Sequence, residues 1–196
     1  FKNLTLQIDP KGILNLPEGF TYKIISKYKD LMDDGLLVPN KADGMSCFKS
    51  KGSKVILVRN HELGHSPNLG KLFNANNPFG KNFSKYLRKN KKKIYDMKRS
   101  KTSCFGCTTT IVYDLKNKKT LKQFLSLSGT LVNCSGGPTP WKSWISCEET
   151  VKMKGPGLNK NHGYNFEVAA TSNIKLHKAV PFKAMGRFKH EAIAVD

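Results

Sequence analysis

The sequence predicts an all-β chain, and three observations carry the prediction. Apolar, aromatic and β-branched residues gather in short runs, turn-forming residues separate the runs, and no long stretch keeps a helical period. Phe20–Ile25 (FTYKII) and Lys54–Arg59 (KVILVR) read as the first strands. Thr108–Leu115 (TTTIVYDL) and Lys119–Leu127 (KTLKQFLSL) follow, with Asp114–Lys119 (DLKNKK) as the hairpin link between them. Trp141–Cys147 and Tyr164–Val168 continue the pattern. Strand–turn–strand units of this kind build a sandwich or a propeller, and without a clean repeat at blade length the alternation leaves both open.

A chain of 196 residues can bury one core or form part of a larger one. Its formal net charge is +20, from 34 Lys+Arg against 14 Asp+Glu. Such a charge suits a nucleic acid or an anionic surface. Yet only Arg59, Arg88, Arg99 and Arg187 are arginines, and readout of bases and phosphates favours the arginine fork over lysine. No specific nucleic-acid partner is therefore expected, and the lysines read as a solvated surface. The scarce acids behave differently: Asp33, Asp34, Asp43, Glu62, Glu148, Glu149, Glu167 and Glu191 all fall in motif-like segments.

Lysines crowd the segment 71–103, where Asp96 is the single acid among Phe73, Phe79, Phe83, Tyr86 and Tyr95. It reads first as a solvated insertion, helical around Phe83–Lys93. An electrostatic funnel for anionic substrates and a polyanion patch with stacking aromatics are the other readings. Cys47, Cys104, Cys107, Cys134 and Cys147 are too few and too odd in number for a disulfide scaffold. The lone pair Cys104-Phe105-Gly106-Cys107 is weak as a zinc or redox motif without a second pair. No apolar run reaches the length of a membrane helix, and no signal peptide stands in these residues.

Ser126–Thr150 (SLSGTLVNCSGGPTPWKSWISCEET) holds the densest chemistry. Cys134 precedes Gly136-Gly137-Pro138 and is expected at the mouth of a turn, where small neighbours admit a ligand. Trp141 and Trp144 would wall such a site, and Glu148 and Glu149 add hard oxygen donors. Each feature alone has a plain structural reading: buried thiol, core indole, solvated carboxylate. Together, a soft sulfur beside hard carboxylates suits a transition metal with room for a harder ion. Strand neighbours face opposite sides, so only one of the two glutamates can point into the site, Glu149 before Glu148.

The segment closely resembles the signature of the PhoX-type alkaline phosphatases, and other stretches match that family in order. They are Leu16–Tyr22 (LPEGFTY), Met32–Gly35 (MDDG), Val38-Pro39, Asp43–Met45 (DGM), Leu57–Glu62 (LVRNHE), His162–Val168 (HGYNFEV) and Met185–Ala192 (MGRFKHEA). The family usually has glycine where Cys107 stands. The resemblance implies a β-propeller, present in residues 1–196 as a single incomplete domain of N-terminal blades with the Lys-rich insertion at about 71–103. It further implies a periplasmic or secreted hydrolase that acquires phosphate from small phosphate monoesters through an iron and calcium cluster in the propeller opening, expected as a monomer. Cys134 would be the iron ligand, with Glu191, Glu149, Glu62 and Glu148 as further metal ligands. Cys134, Glu191 and Arg187 form the implied catalytic set, and Asn60 and Arg187 would contact substrate. Arg187 could instead pair with a carboxylate to brace a blade. His61 and His190 each adjoin a candidate carboxylate, as ligands or as orienting groups. Two alternatives are a calcium-dependent propeller esterase or lactonase, which needs no cysteine, and a non-catalytic polyanion-binding propeller.

Overall fold

The long alternating runs pair with their sequence neighbours, as short connections favour. The computed structural model describes residues 5–65, 77–97, 102 and 104–196. A short ladder joins β1 (Leu6–Gln7) to β2 (Leu16–Pro17). β3 (Ala42–Lys49), β4 (Lys54–His61), β5 (Gly106–Asp114) and β6 (Lys119–Thr130) then form a four-stranded antiparallel sheet in chain order. β7 (Asn133–Pro138), β8 (Ser143–Glu148) and β9 (Asn165–Ala169) form a second antiparallel sheet of three strands. The all-β expectation holds, with one α-helix, α1 (Phe83–Asn90), and one 3-10 turn, Lys183–Met185, among the described residues.

Two apolar clusters place these parts. Phe48, Ile56, Val58 and Leu127 of the larger sheet pack with Trp144, Phe166 and Val168 of the smaller one. On the other side Phe79, Phe83 and Leu87 pack with Leu36, Cys107 and Leu125. Phe83 and Leu87 are one helical turn apart, so α1 buries one stripe and exposes Lys85, Arg88 and Lys89. The helical part of the lysine-rich segment is thus solvated on one side only. Its Phe79 and Phe83 rings stack on each other at 4.2 Å, fully buried, and are not available to stack bases. Phe73 lies outside the described residues.

Three local expectations need correction. Phe20–Ile25 forms no ladder, and Phe20 and Ile24 are exposed. The segment is tied to the start of β6 through side chains instead, by Thr120 Oγ1 donating to Ile25 O at 2.8 Å and by Lys23 Nζ on Lys118 O. Asp43–Met45, which resembles a loop of the PhoX-type family, lies instead in β3 across a bulge opposite β4. Gly136-Gly137-Pro138 is a strand segment and not a turn. The two glycines are needed for close approach: a Cβ on Gly136 would stand 1.8 Å from Ile145 O, and one on Gly137 would stand 2.1 Å from Ile193 O. Both obstacles are backbone, which cannot rotate aside. Gly136→Ala is expected to destabilise the fold by at least about 1–3 kcal/mol, the usual cost of overpacking, read as a lower denaturant midpoint.

Candidate metal centre

Close packing on β7 gathers the central residues. Cys134 is buried on β7, and its Sγ lies 3.4 Å from His190 O, 3.7 Å from Glu191 O and 3.9 Å from Cys147 O. The chain at His190–Ile193 therefore lies directly over β7, tied to β8 by His190 N donating to Glu148 O at 3.1 Å. Burial pushes the Cys134 thiol up to about 11; the Ser135 N–H opposes this, and the charges of Glu191 and Glu149 add to it. Burial likewise pushes Cys147 up to about 12, with Cys134 and Glu191 adding. The Glu191 charge therefore bears on both thiols, and that of Glu149 on Cys134. Glu191 is exposed and Glu149 half-buried, so oxygens sit outside the sulfurs. Cys147 was missed as a site residue in the sequence, although strand alternation places it on the same face as Glu149.

Glu148 goes the other way. Its carboxylate is buried and accepts from Leu131 N at 2.8 Å, Gly163 N at 2.7 Å, Tyr164 N at 3.2 Å and His162 Nδ1 at 2.7 Å. Both oxygens are occupied within the protein, so the structure gives this residue a bracing role and not that of a ligand beside Cys134. The opposite ring nitrogen of His162, Nε2, faces Asp96 Oδ2 at 3.3 Å and Cys104 Sγ at 3.7 Å. Burial works against a charged imidazole, but the bonds to Asp96, Cys104 and Glu148 outweigh it and hold His162 up to about 11. Sequence reading singled out neither Asp96 nor His162 as a site residue. The signals were a lone acid kept within a lysine-rich segment and the family-like stretch His162–Val168.

Asn60 is fully buried and tied on every side. Its Nδ2 donates to Ser135 O at 2.7 Å, and its Oδ1 accepts from Trp144 Nε1 and Ser146 Oγ, each at 2.9 Å. The expected substrate contact is thereby replaced by a brace between β4 and the second sheet. Trp144 belongs to that brace, while Trp141 is exposed and donates to Glu167 Oε1 at 2.6 Å. Arg187 is exposed, and its Nη1 donates to Val151 O at 2.9 Å and His162 O at 3.5 Å. Carbonyls, not a carboxylate, therefore hold that guanidinium. Glu62 follows β4 half-buried, with its N–H on Lys41 O at 2.9 Å.

Both candidate histidines are engaged by the protein. His190 is buried, with Nδ1 3.2 Å from Asn165 Nδ2 and Nε2 3.4 Å from Gly186 O. His61 contacts Asn40 O and Thr109 Oγ1, each at 2.9 Å. Burial first, then the Arg59 charge, pushes His61 down to about 3, so it is neutral in the folded protein. Its stabilising contribution is present above the ordinary imidazole value of 6.5 and is lost as pH falls from there toward 3. A His61→Gln variant is accordingly expected to lose less stability between those pH values than the parent, measured by urea unfolding across the range.

The two cysteines of the CxxC part company. Cys107 packs with Leu125 in the cluster around α1, and burial drives its thiol far above the ordinary range. Cys104 packs with Leu131 and Leu158 and faces His162. They pack into different apolar clusters.

Comparison with known proteins adds the relationship. A family model described as alkaline phosphatase PhoX matches residues 1–196. A solved structure, Pseudomonas fluorescens PhoX in complex with vanadate, a transition state analogue, superposes with a TM-score of 0.53 at 15% identity. The alignment covers 90% of this chain and 43% of that one, so the chain spans less than half the length of that relative. No curated protein sequence matches. The chain belongs to the PhoX alkaline phosphatase family.

Proposed function

We propose that the protein is a metal-dependent phosphatase that hydrolyses small phosphate monoesters, with iron held at Cys134 and calcium held by the carboxylates around it. The observation that carries this reading is a thiol buried on β7, its Sγ 3.7 Å from the backbone carbonyl of Glu191, with the charges of Glu191 and Glu149 bearing on it. The donor set fits both ions. A thiolate suits iron and is a poor ligand for hard calcium, whereas exposed and half-buried carboxylates suit either. Glu62, at the end of β4, is a further ligand in this reading.

Bound metal supplies positive charge to the phosphoryl oxygens and a hydroxide-like nucleophile near neutral pH. The chain's own groups do the rest. Burial keeps the Cys134 thiol protonated at neutral pH, so ligation there takes up the metal in exchange for a proton. Arg187, held by the Val151 and His162 carbonyls, offers N–H donors to a phosphate at the exposed side. Asn60, Trp144 and Ser146 fix β7 and β8 against β4 and so fix the position of the thiol.

In this reading the two antiparallel sheets are successive blades of a propeller, with the lysine-rich segment lying between strands of the first. The superposition on a PhoX structure supports that arrangement. Among the described residues no helix is long and apolar enough to cross a membrane. Family membership supports a secreted or periplasmic protein that acquires phosphate. Hydrolysis of a chromogenic phosphate monoester, measured beside a diester and a lactone before and after chelation, tests the function. Monoester turnover that chelation removes is expected. Turnover of the lactone alone, sustained by calcium, would replace the proposal with an esterase.

A further inference from the structure

A second cluster of donors lies behind β8, on the side away from Cys134. Asp96 follows α1, Cys104 precedes β5 and His162 lies between β8 and β9, yet one ligand atom from each falls within 4.8 Å of the others. All three residues are buried. We propose that Asp96, Cys104 and His162 bind a zinc-type divalent ion, a site separate from the phosphatase centre.

Geometry carries the argument. Tetrahedral zinc, with bonds of roughly 2.0 Å to nitrogen or oxygen and 2.3 Å to sulfur, sets its ligands about 3.3–3.6 Å apart. His162 Nε2 stands 3.3 Å from Asp96 Oδ2 and 3.7 Å from Cys104 Sγ, close to that spacing. As a charge-assisted hydrogen bond, the 3.3 Å contact is long; the same ring makes a 2.7 Å bond to Glu148 on its other nitrogen. The ring is thus held tightly at Nδ1 by a carboxylate and directed at the cluster through Nε2, the arrangement in which carboxylates orient zinc-bound histidines. Asp96 is held in turn by Asn159 N and Nδ2, each at 2.8 Å, and by Lys160 N at 3.0 Å. Oδ2 takes both backbone N–H groups and Oδ1 takes only the Asn159 amide, so of about four lone-pair sites one stays open on Oδ1, and ligation through Oδ2 displaces a backbone N–H.

The chemistry of the set selects the ion. Thiolate with imidazole favours zinc over calcium or magnesium, and three protein donors leave the fourth position to water. Binding exchanges the Nε2 and Sγ protons for the metal and releases them to solvent. The ion joins three segments that no strand ladder links and keeps one position open to water.

Cobalt(II), which takes zinc sites and reports on their ligands, is titrated into the metal-free protein and its Cys104→Ser variant. One equivalent is expected to give a thiolate-to-cobalt absorption in the near ultraviolet with strong visible bands of a tetrahedral ion, all lost in Cys104→Ser and retained in Cys134→Ala. Absorption that persists in Cys104→Ser, or that vanishes in Cys134→Ala, overturns the proposal by giving the ion to the other centre. Should Cys104→Ser fail to fold, zinc-edge X-ray absorption of the unmutated protein with one equivalent of zinc decides. One sulfur at about 2.3 Å together with imidazole scattering supports the site, and a shell without imidazole overturns it.

Discussion

Replacing Glu148 by alanine is expected to destabilise the protein by about 3–5 kcal/mol, the range for breaking a buried charged pair. Three backbone N–H groups and the His162 ring lose their acceptor together. Each is buried or partly buried, and water cannot replace the carboxylate without opening the packing between β6, β8 and β9. An alanine at position 148 also leaves the imidazolium of His162 with Asp96 and Cys104 alone. Glu148→Gln keeps the shape and two acceptor lone pairs, so it should cost less. Chemical unfolding of the two variants beside the parent measures the difference. Equal stability of Glu148→Ala and parent would mean that the carboxylate braces nothing.

Its sequence neighbour should behave in the opposite way. Glu149→Gln is expected to leave the unfolding midpoint within about 0.5 kcal/mol of the parent, as for a substitution away from buried features. Phosphatase turnover should nevertheless fall by more than about 100-fold, since loss of even an outer-shell partner costs a metal site 10–100-fold. Glu149 is half-buried, and its charge bears on Cys134. Its backbone N–H bonds to Val132 O, so the chain holds its position whatever the side chain. The pair thus separates fold from function between adjacent residues. A Glu149→Gln protein with parental turnover would remove this residue from the proposed metal centre.

That division was legible in the sequence, because strand alternation sends neighbouring side chains to opposite faces. So were β4, β5 and β6, whose β-branched runs and single hairpin link leave few other pairings. The destination of Glu148 was not legible. His162 and Asp96 lie 14 and 66 residues from their partners in this network, and local pattern carries no signal for contacts at such separations. Gly136 and Gly137 misled for a related reason. Glycine marks a turn and a close backbone approach alike, and only the positions of Ile145 and Ile193 show that the second applies. The aromatics among the lysines were ambiguous until α1 showed Phe83 and Leu87 on one buried stripe. The family resemblance implied a substrate contact for Asn60, but the indole and hydroxyl that occupy it come from residues more than 80 positions away.

The central claim is that Cys134 holds iron in a working phosphatase, and metal content tests it most directly. Elemental analysis of the protein and its Cys134→Ala variant, each assayed on a chromogenic phosphate monoester, should find iron and calcium with turnover in the parent. The variant should keep its fold while losing both iron and turnover. Iron retained in the variant with turnover unchanged would contradict the claim.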